Sequence, residues 1–349
     1  MMNKILTIVI PTYNMEKYLD KCLTSLVIED RELMKQLEIL VVIDGSKDRS
    51  SEIAHTYQVR YPQTFIVIDK ENGNYGSCIN RGLKEAAGKY IKVLDADDCY
   101  NSKSLQQHLE LLRIVDVDLI LTSYVIVNEK GQIKSKRTFP LYPYKEYFFD
   151  EICVNSGVVD AEMHAVTYKT ENLKNIDYKQ TEGISYTDQE WIFMPMTTVR
   201  TVIYQPVYLY EYLVGREGQT MQADILDRTF SHQVLCAVNR LKDLHNRQLS
   251  LKSSMTAFLY HNLGRVVVYI YRATIMRGLY DIDKLKELDA TINRLDPQFY
   301  KYIGNASLNF GIKFKYILYF RNTGKGAPDI VQKIYSCLLY TSPSPRDMR

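Results

Sequence analysis

Three acidic residues stand close together in the segment Lys89–Asp98, where Asp95, Asp97 and Asp98 follow a short apolar run. Carboxylates packed this closely repel one another unless a cation lies among them, and their oxygen atoms suit Mg²⁺ or Mn²⁺ better than softer metals. Because Mg²⁺ keeps open coordination positions that phosphate oxygens usually complete, the cluster indicates a nucleotide-diphosphate substrate. The alternative is a solvated acidic turn that caps the following helix, predicted at Ser102–Arg113.

Strands and helices alternate through residues 6–94, which is typical of a parallel sheet covered by helices on both faces. Compact apolar runs predict the strands, and apolar residues at helical spacing predict the helices between them. The predicted strands are Leu6–Ile10, Leu37–Ile43, Phe65–Ile68 and Tyr90–Leu94, and the predicted helices are Glu16–Val27, Ser51–Arg60 and Ser77–Ala87. The last of these helices is expected to end with Gly88 as its C-cap.

Polar clusters follow three of these strands, at Thr12–Asn14, Asp44–Ser46 and Asp95–Asp98. In open sheets of this kind, ligands bind beyond the carboxyl ends of the strands. We therefore expect the three clusters to converge on one binding site. That convergence carries more weight than any one cluster alone.

Residues 118–212 predict a mixture of strands and short helices. Thr201–Tyr212 is a long aromatic strand, which Pro206 is expected to push to a sheet edge because proline cannot donate to a strand ladder. The other predicted elements are strands at Asp118–Val127, Gln132–Phe139 and Met163–Tyr168, and helices at Phe148–Cys153, Thr170–Lys174 and Thr187–Met196.

The pattern becomes helical after about residue 220, with helices predicted at Ile225–Arg247, Ser253–Met276 and Asp283–Arg294. The predicted organisation is therefore an α/β domain at residues 1–220 and a mainly helical region at residues 221–335. The segment 336–349 resembles the translation of an adapter used in preparing sequencing libraries, and we predict that it is not native protein.

Composition excludes some partners. A net charge of +3 argues against nucleic acid as the main partner, and six cysteines without paired spacing, with no secretory signal, favour a reducing cytoplasm. No apolar run reaches the ~18 residues that a membrane span needs. Apolar and polar residues alternate in Leu308–Tyr316, and two interpretations stay open: a peripheral contact with the membrane surface, and an edge strand.

A series of motifs runs in order from Thr7 to Trp191, and it resembles the family 2 glycosyltransferases of the GT-A fold. The set is specific for fold and reaction class and unspecific for sugar and acceptor. The motifs are Thr7–Asn14, Val41–Asp48, Glu71–Gly82, Gly88–Asp98 and Tyr186–Trp191.

This resemblance implies a Rossmann-like, mostly parallel sheet with helices on both faces and a helical C-terminal appendage. It also implies an inverting, metal-dependent glycosyltransferase that uses a UDP-sugar and Mn²⁺ or Mg²⁺. The implied acceptor is a hydroxyl group of a saccharide or a lipid-linked molecule, in surface-polysaccharide synthesis at the inner face of the plasma membrane.

The resemblance also implies roles for individual residues. Thr12 and Tyr13 would contact the nucleotide, Asp44 would bind the base, and Asp97 would ligate the metal directly beside Asp95. The whole predicted donor-binding set is Pro11, Thr12, Tyr13, Asn14, Asp44, Asn72, Gly73, Asp95 and Ala96.

Asp188 falls where the family keeps its catalytic base, and the alternative is that it caps the helix beginning near Gln189. His164 has two interpretations, a contact to acceptor or pyrophosphate and a core histidine. Arg216 is interpreted as closing over the diphosphate or, more simply, as a solvated loop arginine. Trp191 is a candidate for stacking on a sugar or for the core.

Two other functions compete with transfer of a sugar. A nucleotidyltransferase of similar fold is expected to carry a phosphate loop rich in glycine and basic residues after the first strand, and Pro11–Asn14 is not one. The second is a non-catalytic module that binds sugar nucleotides. The joint presence of Asp95, Asp97 and Asp188 argues against that module.

Overall fold

The structure of the protein is a computed structural model that divides into two compact units, Met1–Gln219 and Thr220–Arg349. It describes residues 4–216, 227, 229–247, 251–309 and 313–341. The strands are β1 (Leu6–Thr12), β2 (Leu37–Asp44), β3 (Phe65–Lys70), β4 (Tyr90–Val93), β5 (Cys99–Tyr100), β6 (Leu119–Asn128), β7 (Ile133–Arg137), β8 (Glu146–Phe148), β9 (Val166–Lys169), β10 (Thr201–Val214), β11 (Leu308–Asn309) and β12 (Lys313–Phe314).

The α-helices of the first unit are α1 (Leu19–Thr24), α2 (Arg31–Gln36), α3 (Ser50–Arg60), α4 (Asn74–Glu85), α5 (Ser102–Ile114), α6 (Phe149–Ile152), α7 (Thr170–Asn175) and α8 (Asp188–Trp191). Those of the second unit are α9 (Phe230–Arg247), α10 (Ser253–Arg277), α11 (Ile282–Leu295), α12 (Pro297–Ile303), α13 (Tyr316–Thr323) and α14 (Asp329–Thr341).

A ten-stranded sheet forms the centre of the first unit, in the order β3-β2-β1-β4-β9-β6-β10-β5, with β7 beside β6 and β8 beside β10. The strands β3, β2, β1 and β4 pair in parallel, and the rest of the sheet combines a parallel pair, β6 with β10, with antiparallel neighbours. Every residue of β2 and β4 is buried, which requires cover on both faces of the sheet. The predicted α/β architecture is confirmed.

The first helix is shorter than the predicted Glu16–Val27, because residues before Leu19 are used to join two loops. The backbone N–H of Glu16 donates to Asp48 Oδ2 at 2.9 Å, and the Glu16 carboxylate accepts from the backbone N–H of Arg49 at 3.0 Å. These contacts hold the loop after β1 to the loop after β2. Periodicity alone does not report such long-range pairing.

The prediction that Pro206 pushes its strand to a sheet edge is wrong, because β10 lies between β6 and β5. The register of β10 against β6 shifts between Gln205 and Tyr208, so the exposed Pro206 lies at a bulge. A bulge leaves one residue outside the ladder, and the missing N–H of proline therefore costs no hydrogen bond.

Two predicted elements are divided in the structure. Within the predicted strand Met163–Tyr168, residues Met163–Ala165 form a 3-10 helix and the strand begins only at Val166. The predicted helix Thr187–Met196 is interrupted, since α8 ends at Trp191 and a 3-10 helix begins at Pro195. Proline has no N–H for the helical ladder and disfavours a helical conformation in the residue before it.

Gly88 does not cap α4, which ends at Glu85 with Ala86 at the C-cap position. Its role is close packing, because a Cβ atom at this position would lie 2.5 Å from the backbone nitrogen of Thr7. The backbone N–H of Gly88 also donates to Thr7 Oγ1 at 2.9 Å. Glycine is therefore needed here because two segments of the backbone approach closely, and not because of a left-handed turn.

In the second unit, α10 packs against α9, α11, α12, α13 and α14, so the predicted C-terminal helical region is confirmed. None of the described helices is both long enough and apolar enough to cross a membrane. The strands β11 and β12 pair antiparallel, with Leu308 opposite Phe314. Tyr316, Ile317 and Phe320 are buried within α13 and are not exposed to a lipid surface. The peripheral membrane contact stays a prediction.

Some predictions concern residues that the structure does not describe. Ile225, the predicted start of a helix, lies outside the described residues, as do residues 310–312 of the alternating stretch. The predicted non-native tail begins inside α14, and its residues 342–349 also lie outside the described part. Its origin stays a prediction.

A buried histidine joins α5 to the sheet. His108 is fully buried, its Nδ1 lies 2.7 Å from Gln205 Oε1, and its Nε2 lies 3.1 Å from Thr167 Oγ1. The Gln205 oxygen can only accept, so Nδ1 carries the proton and Nε2 accepts from the threonine hydroxyl. Burial lowers the pKa of His108 to about 3, which keeps the ring neutral in the folded protein.

This depressed pKa predicts a loss of stability in acid. The pKa of His108 falls from 6.5 in the unfolded chain to about 3 in the fold, so the stability is complete above pH 6.5 and is lost as pH falls toward 3. Urea unfolding at several pH values measures this effect. For each pH unit of acidification in that interval, the free energy of unfolding of wild type should fall by up to ~1.4 kcal/mol more than that of His108→Gln. Parallel pH profiles of the two proteins would contradict the assignment.

Candidate active site

The polar ends of β1, β2 and β4 meet at one edge of the sheet. Thr12 is the last residue of β1 and lies opposite Ile43, Asp44 is the last residue of β2, and Asp95 follows β4 after Leu94. Parallel pairing of β1 with both β2 and β4 brings these three strand ends together. The three polar clusters thus share one edge.

The residues after β1 form a loop that is fixed to the loop after β2. The backbone N–H of Asn14 donates to Ser46 Oγ at 3.1 Å, and Asn14 Oδ1 accepts from the backbone N–H of Lys47 at 2.8 Å. Asn14 holds a positive φ of 52°, which asparagine tolerates better than most residues. Thr12 is buried, whereas Tyr13 is 47% exposed and can meet a ligand.

Asp44, Asn72 and Gly73 are brought together by hydrogen bonds. Asp44 Oδ1 accepts from the backbone N–H of Gly73 at 2.9 Å, and the carbonyl of Asp44 accepts from Asn72 Nδ2 at 2.9 Å. Lys70 Nζ donates to the same Asp44 oxygen at 2.5 Å and to Ser77 Oγ at 2.9 Å. Sequence reasoning missed Lys70, whose only signal is a charged residue at the end of a strand.

The glycine-bearing loop packs against the segment that leads to Asp188. A Cβ atom at Gly76 would lie 1.9 Å from the carbonyl oxygen of Thr181, so no larger residue fits there. The backbone N–H of Gly183 donates to the carbonyl of Gly73 at 2.9 Å. This packing holds the segment before Asp188 to the donor-side loop.

Each of the three clustered carboxylates has its own partner. Asp95 Oδ1 accepts from the Tyr75 hydroxyl at 2.9 Å. Asp98 is buried, and its two oxygens accept from the Tyr210 hydroxyl and from the backbone N–H of Leu213, both at 2.6 Å. The third, Asp97, forms an ion pair with Arg216, and both side chains are about nine-tenths buried. Ala96, between them, is buried as well.

Crowding of these acids changes their protonation. Burial, and then the charge of Asp97, raises the pKa of Asp95 to about 7. Burial, and then the charges of Asp97 and Asp95, raises the pKa of Asp98 well above its ordinary value. Both pKa shifts have the same direction and the same causes, burial and neighbouring negative charge, and a bound cation would oppose them.

His164 supplies a further donor atom at the cluster. One of its ring nitrogens lies within 4.8 Å of carboxylate oxygens of both Asp95 and Asp98. The residue is 8% exposed, and its Nδ1 makes no hydrogen bond, although the Glu162 carboxylate lies 3.5 Å away. Carboxylate oxygens suit Mn²⁺ or Mg²⁺, whereas an imidazole nitrogen suits a transition metal, so this group of three fits a divalent metal and favours Mn²⁺ over Mg²⁺. Asp97 is outside this group of three.

Asp188 is the first residue of α8, and Thr187 takes the N-cap position, so the interpretation of Asp188 as a helix cap is wrong. Its side chain is half-buried, and its negative charge contributes to the raised pKa of Asp95, after burial and Asp97. The neighbouring Glu190 accepts from the backbone N–H and the hydroxyl of Thr181 at 2.7 and 2.8 Å. Glu190 therefore holds the segment at Thr181 to the start of α8.

Two of the remaining candidates have clear positions. Trp191 is 1% exposed and packs against Tyr168 and Tyr178 in the core, so the interpretation as a sugar-stacking residue is wrong. Arg216 is not a solvated loop residue, because it pairs with Asp97 and lies over the Tyr18 ring at 5.4 Å. The sequence could not show this pair, whose members are far apart along the chain.

The chain has relatives among known proteins. Residues 7–176 match the sequence model of the family described as Glycosyl transferase family 2. The uncharacterized glycosyltransferase MG025 of Mycoplasma genitalium is 36% identical over 126 residues, which cover 35% of this chain and 41% of that protein. The poly(ribitol-phosphate) beta-N-acetylglucosaminyltransferase TarS of Staphylococcus aureus is 26% identical over 218 residues, covering 62% of this chain and 37% of TarS. The matches thus span less than half of these curated relatives.

Solved structures share the fold. A crystal structure of S. aureus TarS aligns with 95% of this chain and 91% of its own, at a TM-score of 0.65 and 19% identity. A crystal structure of TarS in complex with UDP-GlcNAc aligns with 86% and 90%, at a TM-score of 0.55 and 21% identity. Identities this low show likeness of fold alone. The predicted resemblance to family 2 glycosyltransferases is confirmed by the family model that residues 7–176 match.

The ion pair at the cluster predicts competition between Arg216 and a metal. Arg216→Met removes the guanidinium from Asp97, so a cation no longer has to replace a charge-assisted hydrogen bond. Calorimetric titration without nucleotide should show Mn²⁺ binding on the order of tenfold tighter than in wild type. Arg200→Met, which removes an exposed arginine, is the control and should bind like wild type. Mn²⁺ binding to Arg216→Met that is equal to or weaker than binding to wild type would contradict competition between Arg216 and the metal.

Proposed function

Because residues 7–176 match the model of the family described as Glycosyl transferase family 2, we propose that this protein is an inverting glycosyltransferase that uses a UDP-sugar. It transfers the sugar to a hydroxyl group of a saccharide or lipid-linked acceptor in the synthesis of cell-surface polysaccharide. The observation that carries the proposal is the group of Asp95, Asp98 and His164 at the carboxyl edge of the sheet, with Asp97 beside it in an ion pair with Arg216. A divalent cation bound at this edge would attract a diphosphate to these carboxylates.

A divalent metal, Mn²⁺ or Mg²⁺, fits this edge. Asp95 and Asp97 are the proposed ligands, and the nearby imidazole of His164 is an additional donor. When bound, the metal stabilises the negative charge that develops on the leaving diphosphate, by several kcal/mol. Arg216, which pairs with Asp97, lies beside these proposed ligands and is proposed to contact the diphosphate.

The nucleotide is proposed to lie along the loops that follow β1 and β2. The exposed ring of Tyr13 and the backbone around Thr12 line that position, and Asp44 is proposed to accept a hydrogen bond from the base. Lys70 and the backbone N–H of Gly73 hold the Asp44 carboxylate in place. A fixed acceptor oxygen favours a base that presents an N–H, and uracil is such a base.

The acceptor hydroxyl is proposed to lose its proton to Asp188. Its oxygen then attacks the anomeric carbon from the face opposite the diphosphate, a new C–O bond forms as the bond to UDP breaks, and the configuration inverts. Asp188 is half-buried at the start of α8, and its charge acts on Asp95, which supports a position next to the donor. Glu190 accepts two hydrogen bonds from Thr181, which fix the chain on the C-terminal side of Asp188.

The donor is proposed to be a UDP-sugar partly because TarS was crystallised with UDP-GlcNAc. UDP-GlcNAc is therefore the first donor to test, with other UDP-, GDP- and dTDP-sugars beside it. The nucleotidyltransferase alternative gains no support, because the segment Pro11–Asn14 after β1 is not a glycine-rich phosphate loop. A cytoplasmic location, with peripheral contact to the inner membrane face, stays part of the proposal.

The test compares wild type with Asp188→Asn. UDP release from UDP-sugars in Mn²⁺ should be measurable in wild type, with water taking the place of the acceptor, and should fall by ~10²-fold or more in the variant. UDP affinity in Mn²⁺ should be nearly unchanged, because the base acts on the side of the sugar away from the diphosphate. Glu182→Gln, which changes an exposed carboxylate bonded to Asn80, is the matched control and should keep its turnover.

Two outcomes of this test would contradict the proposal in different ways. Absence of turnover in wild type with every donor, combined with normal UDP binding, would favour the non-catalytic module. Near-normal turnover in Asp188→Asn would remove Asp188 as the base while leaving the transferase function in place.

A further inference from the structure

We propose that Lys92 is a positioning residue of the donor site, which holds His164 against Asp95 and Asp98 so that the imidazole can ligate a divalent cation there. This inference rests on the proposed function. It adds to that function a residue which lies behind the site and contacts neither nucleotide nor sugar. The argument starts from the unusual place of a lysine in the middle of a buried strand.

Lys92 lies in β4, where every residue is buried, and its own exposure is 0%. Within the described residues no carboxylate pairs with it. An amine without a counter-charge in the core is costly, and an apolar residue would fill the same volume at lower cost. A lysine here therefore contributes something that an apolar side chain cannot, namely hydrogen-bond donors at the end of a long stem.

Those donors are directed at the backbone around His164. Lys92 Nζ donates to the carbonyl of His164 at 2.8 Å and to the carbonyl of Val166 at 3.0 Å. The pairing of β4 with β9 ends at Ile91 opposite Tyr168, just before Lys92. Beyond that point the strands separate, and the lysine amine replaces the ladder hydrogen bonds that the diverging backbone would otherwise lose.

The other side of His164 is held by aromatic rings. Its imidazole stacks on Tyr212, with centroids 4.4 Å apart and planes at 28°, and meets the edge of Tyr210 at 4.7 Å. The hydroxyl of Tyr210 donates to Asp98, so the same tyrosine orients the imidazole and a carboxylate. With its backbone fixed by Lys92 and its ring fixed by tyrosines, His164 keeps a nitrogen within 4.8 Å of both acids.

Loss of such an outer-shell partner typically lowers metal affinity 10–100-fold. The experiment measures UDP affinity by calorimetry in Mn²⁺ and in EDTA for wild type, Lys92→Met, His164→Ala and the double variant. We expect Lys92→Met to weaken UDP binding in Mn²⁺ by ~10-fold or more and to leave binding in EDTA unchanged. In the His164→Ala background, Lys92→Met should cause little further loss, because the two residues act through one ligand.

Matched variants separate positioning from general stability. Lys92→Gln keeps an N–H donor and should bind UDP in Mn²⁺ more tightly than Lys92→Met, and it replaces Lys92→Met in the cycle if that protein does not fold. His108→Gln changes another buried polar residue, which bonds to Thr167 and not to the turn that carries His164. The difference in UDP affinity between Mn²⁺ and EDTA should be the same in His108→Gln as in wild type.

Three outcomes would overturn the inference. The first is an equal loss of UDP affinity in Mn²⁺ and in EDTA for Lys92→Met, which would show a structural role alone. The second is a double variant in which the two losses multiply, as they do for independent residues. The third is wild-type UDP affinity that does not depend on Mn²⁺, which would overturn the metal site of the proposed function itself and so remains distinguishable from the other two.

Discussion

The structure depends on one electrostatic constraint, the close approach of three carboxylates at a largely buried sheet edge. Two like charges 4 Å apart repel by about 4 kcal/mol even at an effective dielectric constant near 20. The fold meets this constraint with an arginine on Asp97 and with hydroxyl and N–H donors on Asp95 and Asp98. Under the proposed function, a divalent cation and a diphosphate displace these partners together.

The sheet brings the site residues to one edge, and polar side chains behind that edge hold them in their orientations. Parallel pairing of β1 with β2 and β4 brings the strand ends to one edge. Lys70 holds Asp44, Tyr210 holds Asp98, and Lys92 holds the turn that carries His164. Each of these groups costs free energy to bury, so their presence behind the edge is best explained by what they orient.

The sequence was sufficient for the strands β1 to β4 and for the carboxylates, because apolar runs and clustered charges are local signals. It was not sufficient for contacts between distant segments. Tyr210 and Asp98 are 112 residues apart, and Arg216 and Asp97 are 119 apart, so neither pair leaves a periodic trace. Pro206 led to the wrong prediction of an edge strand. A bulge inside a sheet accommodates proline as well as an edge does, and the bulge depends on pairing with a distant strand. His164 was recognised as a candidate but could not be assigned to the carboxylates.

The most direct test of the electrostatic account is the affinity of the wild-type protein for UDP, measured by calorimetry in Mn²⁺ and again in EDTA at the same pH. If the diphosphate faces Asp95, Asp97 and Asp98 through a cation, binding should be strong with Mn²⁺ and weak or undetectable with EDTA. Equal affinity under the two conditions would contradict the account, because the carboxylates would then not need a metal to accept the diphosphate.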